Sequence, residues 1–262
     1  MSKDFTSALF RFAFFPKYEE HIKFLAENIA DIEQWDFSDT KEKKFVILRN
    51  YLDYYYLRLK EESKICFTKD NEFCIFNTGL VTRNQEDIFA FFQVNKSTTP
   101  GSPYYFKCFL KQSDPLLLEK FGESFPEPAY FFEKPELLLV NPKYKIIPDI
   151  EHIIEDNKGR FPLHLQNADN AELRRQIKGA IEDVTKKVRT NYKIAIPQYF
   201  DGKVQLLLPL CLTSGSPNPD LALVISKVPG QEIYSAITCL TLKMAYNNAR
   251  LIVKPQSDWL KP

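Results

Sequence analysis

The sequence lacks every short motif that would announce its chemistry. It holds no G-x-x-x-x-G-K-[ST] and no G-x-G-x-x-G, so the phosphate-cradling loops of P-loop NTPases and dinucleotide folds are missing. H-E-x-x-H and G-x-S-x-G are absent as well, which removes the main supports of zincin and α/β-hydrolase readings. None of the cysteines (Cys66, Cys74, Cys108, Cys211, Cys239) forms a C-x-x-C pair, and that spacing excludes a zinc ribbon or a thioredoxin motif. No dedicated metal site is expected, and no cofactor is identified. Charge of one sign is missing too. The chain carries 35 basic and 34 acidic residues, so no global field steers nucleic acid or membrane to its surface, and an anion site has to be a local pocket.

Long apolar runs are also missing. Val204–Leu212 is interrupted by Gln205 and Pro209 and is too short to cross a bilayer. Arg11 breaks the aromatic N-terminal stretch, and no small-residue cleavage site follows it. The expectation is a soluble cytoplasmic protein with reduced thiols and no membrane partner.

What is present supports a sizeable core: 44% of the 262 residues are apolar and 14% aromatic. Residues 19–33 carry Ile22, Leu25, Ala26, Ile29 and Ile32 at helical spacing, and residues 42–62 repeat the signal with Phe45, Leu48, Leu52, Tyr55 and Leu59. The second of these helices also bears Tyr51, Tyr54, Tyr55 and Tyr56, which read either as core or as a surface for stacking bases. From Lys64 the period changes to two. A hairpin turning through Lys69–Asn71 is followed by strands over 87–95 and 103–111 and a short helix over Asp114–Phe121. A brief helix over 149–156 is capped by Asp149. The clearest helix spans 170–190, with Asp169 and Glu172 at capping-box spacing. Asp201-Gly202 then turns a hairpin in which Phe200 faces Lys203, Gln198 faces Gln205, Ile196 faces Leu207 and Lys193 faces Leu210. Both its faces are largely apolar, so it is expected at the centre of a sheet. Leu221–Lys227 is a further strand, and a last helix runs from Thr238 or Thr241 to about Ile252. The fold class is α+β: a mainly antiparallel sheet covered by amphipathic helices, two of them N-terminal. One domain over residues 1–262 is expected, with two lobes meeting near 141–148 as the alternative.

Two stretches place polar groups where the pattern asks for apolar ones: NYKIAIPQYF (191–200) and AYNNAR (245–250). Burying an unpaired amide or ammonium is costly, about 2–7 kcal/mol for a neutral polar group, so something else selects these residues. Lys243, Asn247 and Arg250 fall at i, i+4 and i+7 on one stripe of the last helix, a donor set suited to phosphate or pyrophosphate, or simply an exposed polar face. Asn248 beside Asn247 is poor helix chemistry. Lys193, on a strand with apolar neighbours, either snorkels to water or meets an anion. Tyr199 shares its face. Gln198 opposite Gln205 is either a self-satisfied amide pair or an edge that reads a base or ribose. His152 and Asp156 stand one helical turn apart, so the carboxylate can orient the imidazole for acid–base work or simply pair with it; Asn157 and Arg160 follow. Asn77-Thr78-Gly79 after a strand is a weak anion nest.

Taken in order, FNTGL (76–80), HIIEDNKGR (152–160), NYKIAIPQYF (191–200), QLLLPLCL (205–212), DLALV (220–224) and LTLKMAYNNARLI (240–252) resemble a bacterial family, domain of unknown function 3825. LRNYLDYYYLRLKEESKI (48–65) is similar to its N-terminal part. Family members are often joined to RNA-binding modules such as LOTUS/OST-HTH or cold-shock domains, so the resemblance implies RNA or a nucleotide as partner, by analogy with neighbours and not by mechanism.

The first reading is an RNA- or nucleotide-processing enzyme, a phosphoesterase- or pyrophosphatase-type hydrolase. Lys193, Lys243 and Arg250 clamp the anion; Asn77, Thr78, Asn157, Arg160, Gln198, Tyr199, Asn247 and Asn248 bind substrate; His152, aided by Asp156, is the general acid or base. Two other readings stay open: a non-catalytic module for RNA ends or nucleotides, and a structural or partner-binding protein whose polar core is a satisfied network.

Overall fold

The computed structural model describes residues 7–36, 44–97, 101–213, 215–216, 218–255 and 259–260. The fold is α+β, and the chain divides into two compact units, Met1–Tyr130 and Phe131–Pro262.

In the first unit, α1 (Ala8–Phe12) runs directly into a two-residue strand, β1 (Ala13–Phe14). Helix α2 (Tyr18–Phe24) continues as a π turn over Leu25–Ile29, and α3 (Val46–Glu61) follows. Of the expected apolar stripe, Leu48, Leu52, Tyr55 and Leu59 are buried on α3 and Ile47, Tyr51 and Tyr56 widen it, while Phe45 stands before the helix at its N-cap and is half-buried. Strands β2 (Cys66–Phe67), β3 (Phe73–Val81), β4 (Asp87–Val94) and β5 (Tyr104–Lys111) form an antiparallel meander, closed by helix α4 (Pro115–Phe121). Asp114 caps α4 by accepting from the Leu116 amide. The sheet order is β1-β5-β4-β3-β2, with β1 parallel to β5.

The second unit repeats this plan. A short strand, β6 (Lys145–Pro148), leads into helices α5 (Ile150–Asn157), α6 (Leu163–Gln166) and α7 (Asn170–Thr190). Asp169 caps α7 through the Ala171 and Glu172 amides. Strands β7 (Ile196–Phe200), β8 (Lys203–Leu210), β9 (Leu221–Lys227) and β10 (Ile233–Leu240) form the meander, and α8 (Leu242–Ala249), capped by Thr241, ends it. The order is β6-β10-β9-β8-β7, with β6 parallel to β10.

Alternation assigns the two faces of this second sheet. Leu206, Leu208, Leu210, Leu221, Leu223 and Ile225 form one cluster with the α7 stripe Leu173, Ile177, Ile181, Val184 and Val188 and with Ile153 and Ile154 of α5. Ile196, Leu207, Ala222 and Val224 are buried on the other face, where α8 lies against β7.

Several expectations are refined. Each sheet is mixed, with one parallel pair at an edge. Among the described residues the two expected N-terminal helices are found as α2 and α3, and the short α1 precedes them. The hairpin register is as expected for Ile196↔Leu207, Gln198↔Gln205 and Phe200↔Lys203. However, β7 is an edge strand, and Lys193 stands before it in a 3-10 turn over Tyr192–Ile194, so it faces no strand partner. Elements α1, β1, β6 and β10 escape the periodicity because three of them are very short and β10 carries a bulge between Ser235 and Thr238.

Candidate functional site

The two unusual stretches, 191–200 and 245–250, meet in the second unit. Asn248 on α8 donates from Nδ2 to Gln198 Oε1 on β7 at 3.2 Å, while Gln198 Nε2 donates to Gln205 Oε1 at 3.0 Å. Gln205 Nε2 passes the relay to Ser226 Oγ on β9 at 2.9 Å. Four polar side chains thus cross three strands and one helix under α8. Gln198 is only 1% exposed, and both ends of its amide are satisfied, which meets the cost of burying it.

Asn247, next along α8, differs. Its Oδ1 is fully buried and has no hydrogen-bond partner. An orphaned acceptor of this kind costs about 1–3 kcal/mol unless a donor completes it. The cations of the expected clamp are carried by the two elements that meet here. Lys243 is exposed on α8, Arg250 is half-exposed at its C-cap, and Lys193 is exposed in the turn that leads into β7. The backbone of that turn is tied from the C-terminal side, where Trp259 Nε1 donates to Ile194 O at 3.0 Å. Tyr199 is half-buried and lies edge-on to Phe131, with ring centroids 4.8 Å apart.

His152 and Asp156 lie elsewhere. Nδ1 of His152 is 3.1 Å from Asp156 Oδ2, with both side chains largely in solvent on α5, which covers the opposite face of the sheet from α8. The pair is therefore not aimed at the α8 junction. At the end of α5, the Arg160 Nη1 donates to Asn157 Oδ1, to Thr238 Oγ1 at 3.3 Å and to Cys239 O at 2.6 Å. Thr238 Oγ1 also donates to Asn157 Oδ1 at 3.0 Å. Strand β6 stops pairing at Ala236, so Arg160 takes up the carbonyl that a longer edge strand would have met. Asn157 Nδ2 remains buried without a partner. Cys239, buried beside this arginine, has its thiol pushed up to about 12 by burial, with the guanidinium charge pulling the other way, so it stays protonated.

Asn77 and Thr78 belong to the first unit, and their hydrogen bonds serve its fold. Asn77 Nδ2 donates to Asp87 Oδ2 at 3.0 Å, and its Oδ1 accepts from the Gly79 amide at 2.8 Å. Thr78 Oγ1 donates to Ile88 O at 2.7 Å. Tyr51 Oη donates to Thr78 O, and Gly79, at φ +68°, passes under Tyr51 and Tyr55 so closely that a Cβ would lie 2.3 Å from Tyr55 Oη. The turn locks a bulge between Asn77 and Val81; it does not aim donors outward.

Sequence reasoning missed the extent of the relay to Ser226 and the anchoring role of Thr238. Ser226 alternates correctly for the shared face, so strand register could have found it. Thr238 could not be found this way, because the bulge shifts the alternation. His164 approaches Thr213 Oγ1 at 3.3 Å, but Asp220 accepts from that hydroxyl and not from the imidazole, which is not the order a nucleophile needs. Among the described residues no group of three or more His, Cys, Asp or Glu is placed to hold a metal ion, and no helix is long and apolar enough to cross a membrane.

A family model described as "Domain of unknown function (DUF3825)" matches residues 26–259, and the chain belongs to that family. No curated protein and no solved structure matches it.

Proposed function

We propose that this DUF3825 protein binds a nucleotide or the end of an RNA through the β7–α8 junction of its second unit, without catalysing a reaction there. The observation that carries the reading is the Asn248–Gln198 contact, which joins the two stretches whose composition a core alone does not require. The division of labour follows from chemistry. Lys193, Lys243 and Arg250 offer charge-assisted donors to a phosphate. The unpartnered Asn247 Oδ1 asks for a donor, such as a ribose hydroxyl or a base amine. A nucleotide carries both kinds of group. An acid–base role for His152 finds no support at this junction, because its pair with Asp156 sits on the helix covering the other face of the sheet.

The test is calorimetric titration of nucleoside mono- and triphosphates and short 5′-phosphorylated RNAs into the protein and its variants. Arg250→Ala or Lys193→Ala is expected to weaken binding about tenfold or more. His152→Ala is expected to leave affinity unchanged, with no product formed by either protein. Turnover that His152→Ala abolishes would restore the enzyme reading.

One observation favours a second reading. The Gln198–Gln205–Ser226 relay is saturated, as a purely structural network would be. Under that reading Gln198→Ala and Arg250→Ala lower the melting temperature, and no nucleotide or RNA stabilises the wild type.

A further inference from the structure

The first unit holds a cavity of about 480 Å³ against α1 and α3, in the range of small-ligand sites. Its walls are aromatic and its charge is entirely positive. Phe12, Tyr56 and Phe67 line it together with Arg11 and Lys60, and no lining residue is acidic. The acids beside Lys60 are engaged elsewhere, Glu61 with Arg58 and Glu62 with Arg58 and Lys64. Among the described residues neither Arg11 nor Lys60 has a carboxylate partner or a side-chain hydrogen bond.

The rings are in register with one another. Phe12 lies 5.1 Å from Tyr56 and stacks on Tyr104 at 5.0 Å, and Tyr104 lies 5.8 Å from Phe67. Phe67 remains 42% exposed, a large apolar ring left in water at the rim. Tyr56 is 2% exposed, yet among the described residues its hydroxyl has no hydrogen-bond partner. Burial pushes that phenol far above its ordinary value, so it is a donor at any physiological pH. Ser63, with φ +55°, adds a hydroxyl to the lining.

We propose that this cavity is a second, separate nucleotide site, in which Phe67 and Phe12 hold a planar base while Arg11 and Lys60 hold its phosphate. A wholly apolar ligand would leave two cations without a counter-charge, and a bare anion would leave the rings in water. A base carrying a phosphate satisfies both. The occupant is one nucleotide unit, free or at the end of a strand. The site shares no residue with the β7–α8 junction and does not depend on it.

The test uses the full chain with Lys193→Ala and Lys243→Ala, so that the other site is silenced. Adenosine 5′-monophosphate, adenosine, inorganic phosphate and a 5′-phosphorylated trinucleotide are titrated and followed by calorimetry. The monophosphate is expected to bind, with adenosine and inorganic phosphate each at least about tenfold weaker. Adding Arg11→Gln with Lys60→Gln is expected to cost about a hundredfold, and adding Phe67→Ala about tenfold. All three side chains are exposed, and circular dichroism verifies that the variants fold. Equal affinity for the monophosphate and the trinucleotide supports a free nucleotide as the occupant; tighter trinucleotide binding that these variants abolish supports a strand end. The proposal is overturned if neither binds at low millimolar concentration. It is overturned too if phosphate alone binds as well as the monophosphate, or if the charge variants bind unchanged.

Discussion

The two units solve the same topological problem with different materials. Both run from a short strand through helices to a four-stranded meander and a closing helix, and both pair the short strand in parallel with the last strand of the meander. The first unit fills its sheet with rings: Phe76, Phe89, Phe91, Phe92 and Phe106 are all at most 2% exposed. The second fills its sheet with Leu206, Leu207, Leu208, Leu221, Leu223 and Ile225, equally buried. Strand order is therefore set by turns, period and connection length, and the identity of the apolar side chain is free provided volume is filled. The polar features diverge more. In the first unit a tight Asn-Thr-Gly bulge is locked by neighbours, whereas the second keeps a buried amide relay beside an unfilled acceptor.

The largest effect should come from the locked bulge. Gly79→Ala brings a Cβ into Tyr55 and Tyr51 at a positive φ, and we expect a loss of more than about 3 kcal/mol in urea denaturation followed by Trp35 fluorescence. A near-neutral result would mean that the bulge can relax and that the first unit is no tighter than the second.

The core contrast is next. Phe92→Ala should cost about 4 kcal/mol and Leu208→Ala about 3, since each leaves a cavity at a fully buried position. The sharper comparison is Phe92→Leu. Phe92 meets Phe12, Phe15, Phe76 and Phe106 within 5.8 Å, so more than about 1 kcal/mol should be lost beyond the area effect. If Phe92→Leu behaves like a volume-conserving aliphatic exchange, ring geometry contributes nothing and the contrast is only compositional.

Gln198→Ala should lower stability by about 2 kcal/mol, because Asn248 and Gln205 both lose a buried partner. A double-mutant cycle with Asn248→Ala should show coupling, and additive losses would break the relay into unrelated contacts.

The smallest expected effect concerns Glu62, which receives the Tyr130 amide, Lys64 and Arg58 at the end of the first unit. Burial disfavours its charged form, but the Lys64 and Tyr130 hydrogen bonds and the Arg58 charge outweigh that and hold its carboxyl below the ordinary range. A lowered folded value means that the contribution is present above the unfolded value and is lost as pH falls through the folded one. Glu62→Gln should therefore cost about 1 kcal/mol at neutral pH, with the gap to wild type closing in acid. A gap that persists at pH 3 would assign the effect to shape and not to charge.

Much of the fold was legible in the chain. Asp149 and Asp169 cap the helices they precede, and Asp201-Gly202 turns a hairpin in the expected register, because caps and two-residue turns are decided by neighbours in sequence. The candidate site was legible only in part. The misplaced amides at Gln198 and Asn248 were visible as anomalies, but their contact spans 50 residues. The placement of His152 on the far side of the sheet was not visible, since a helical stripe says what is buried and not against which face.

Local physics wrote the helices, turns and face alternation of this protein into its residues, since hydrogen-bond geometry and side-chain period act over a few positions. Tertiary structure alone decided that two units share one strand order and that β7 is an edge. It alone joined Asn248 to Gln198 and brought Arg11 and Lys60 to one aromatic cavity, because contacts between distant segments depend on how complete sheets and helices pack.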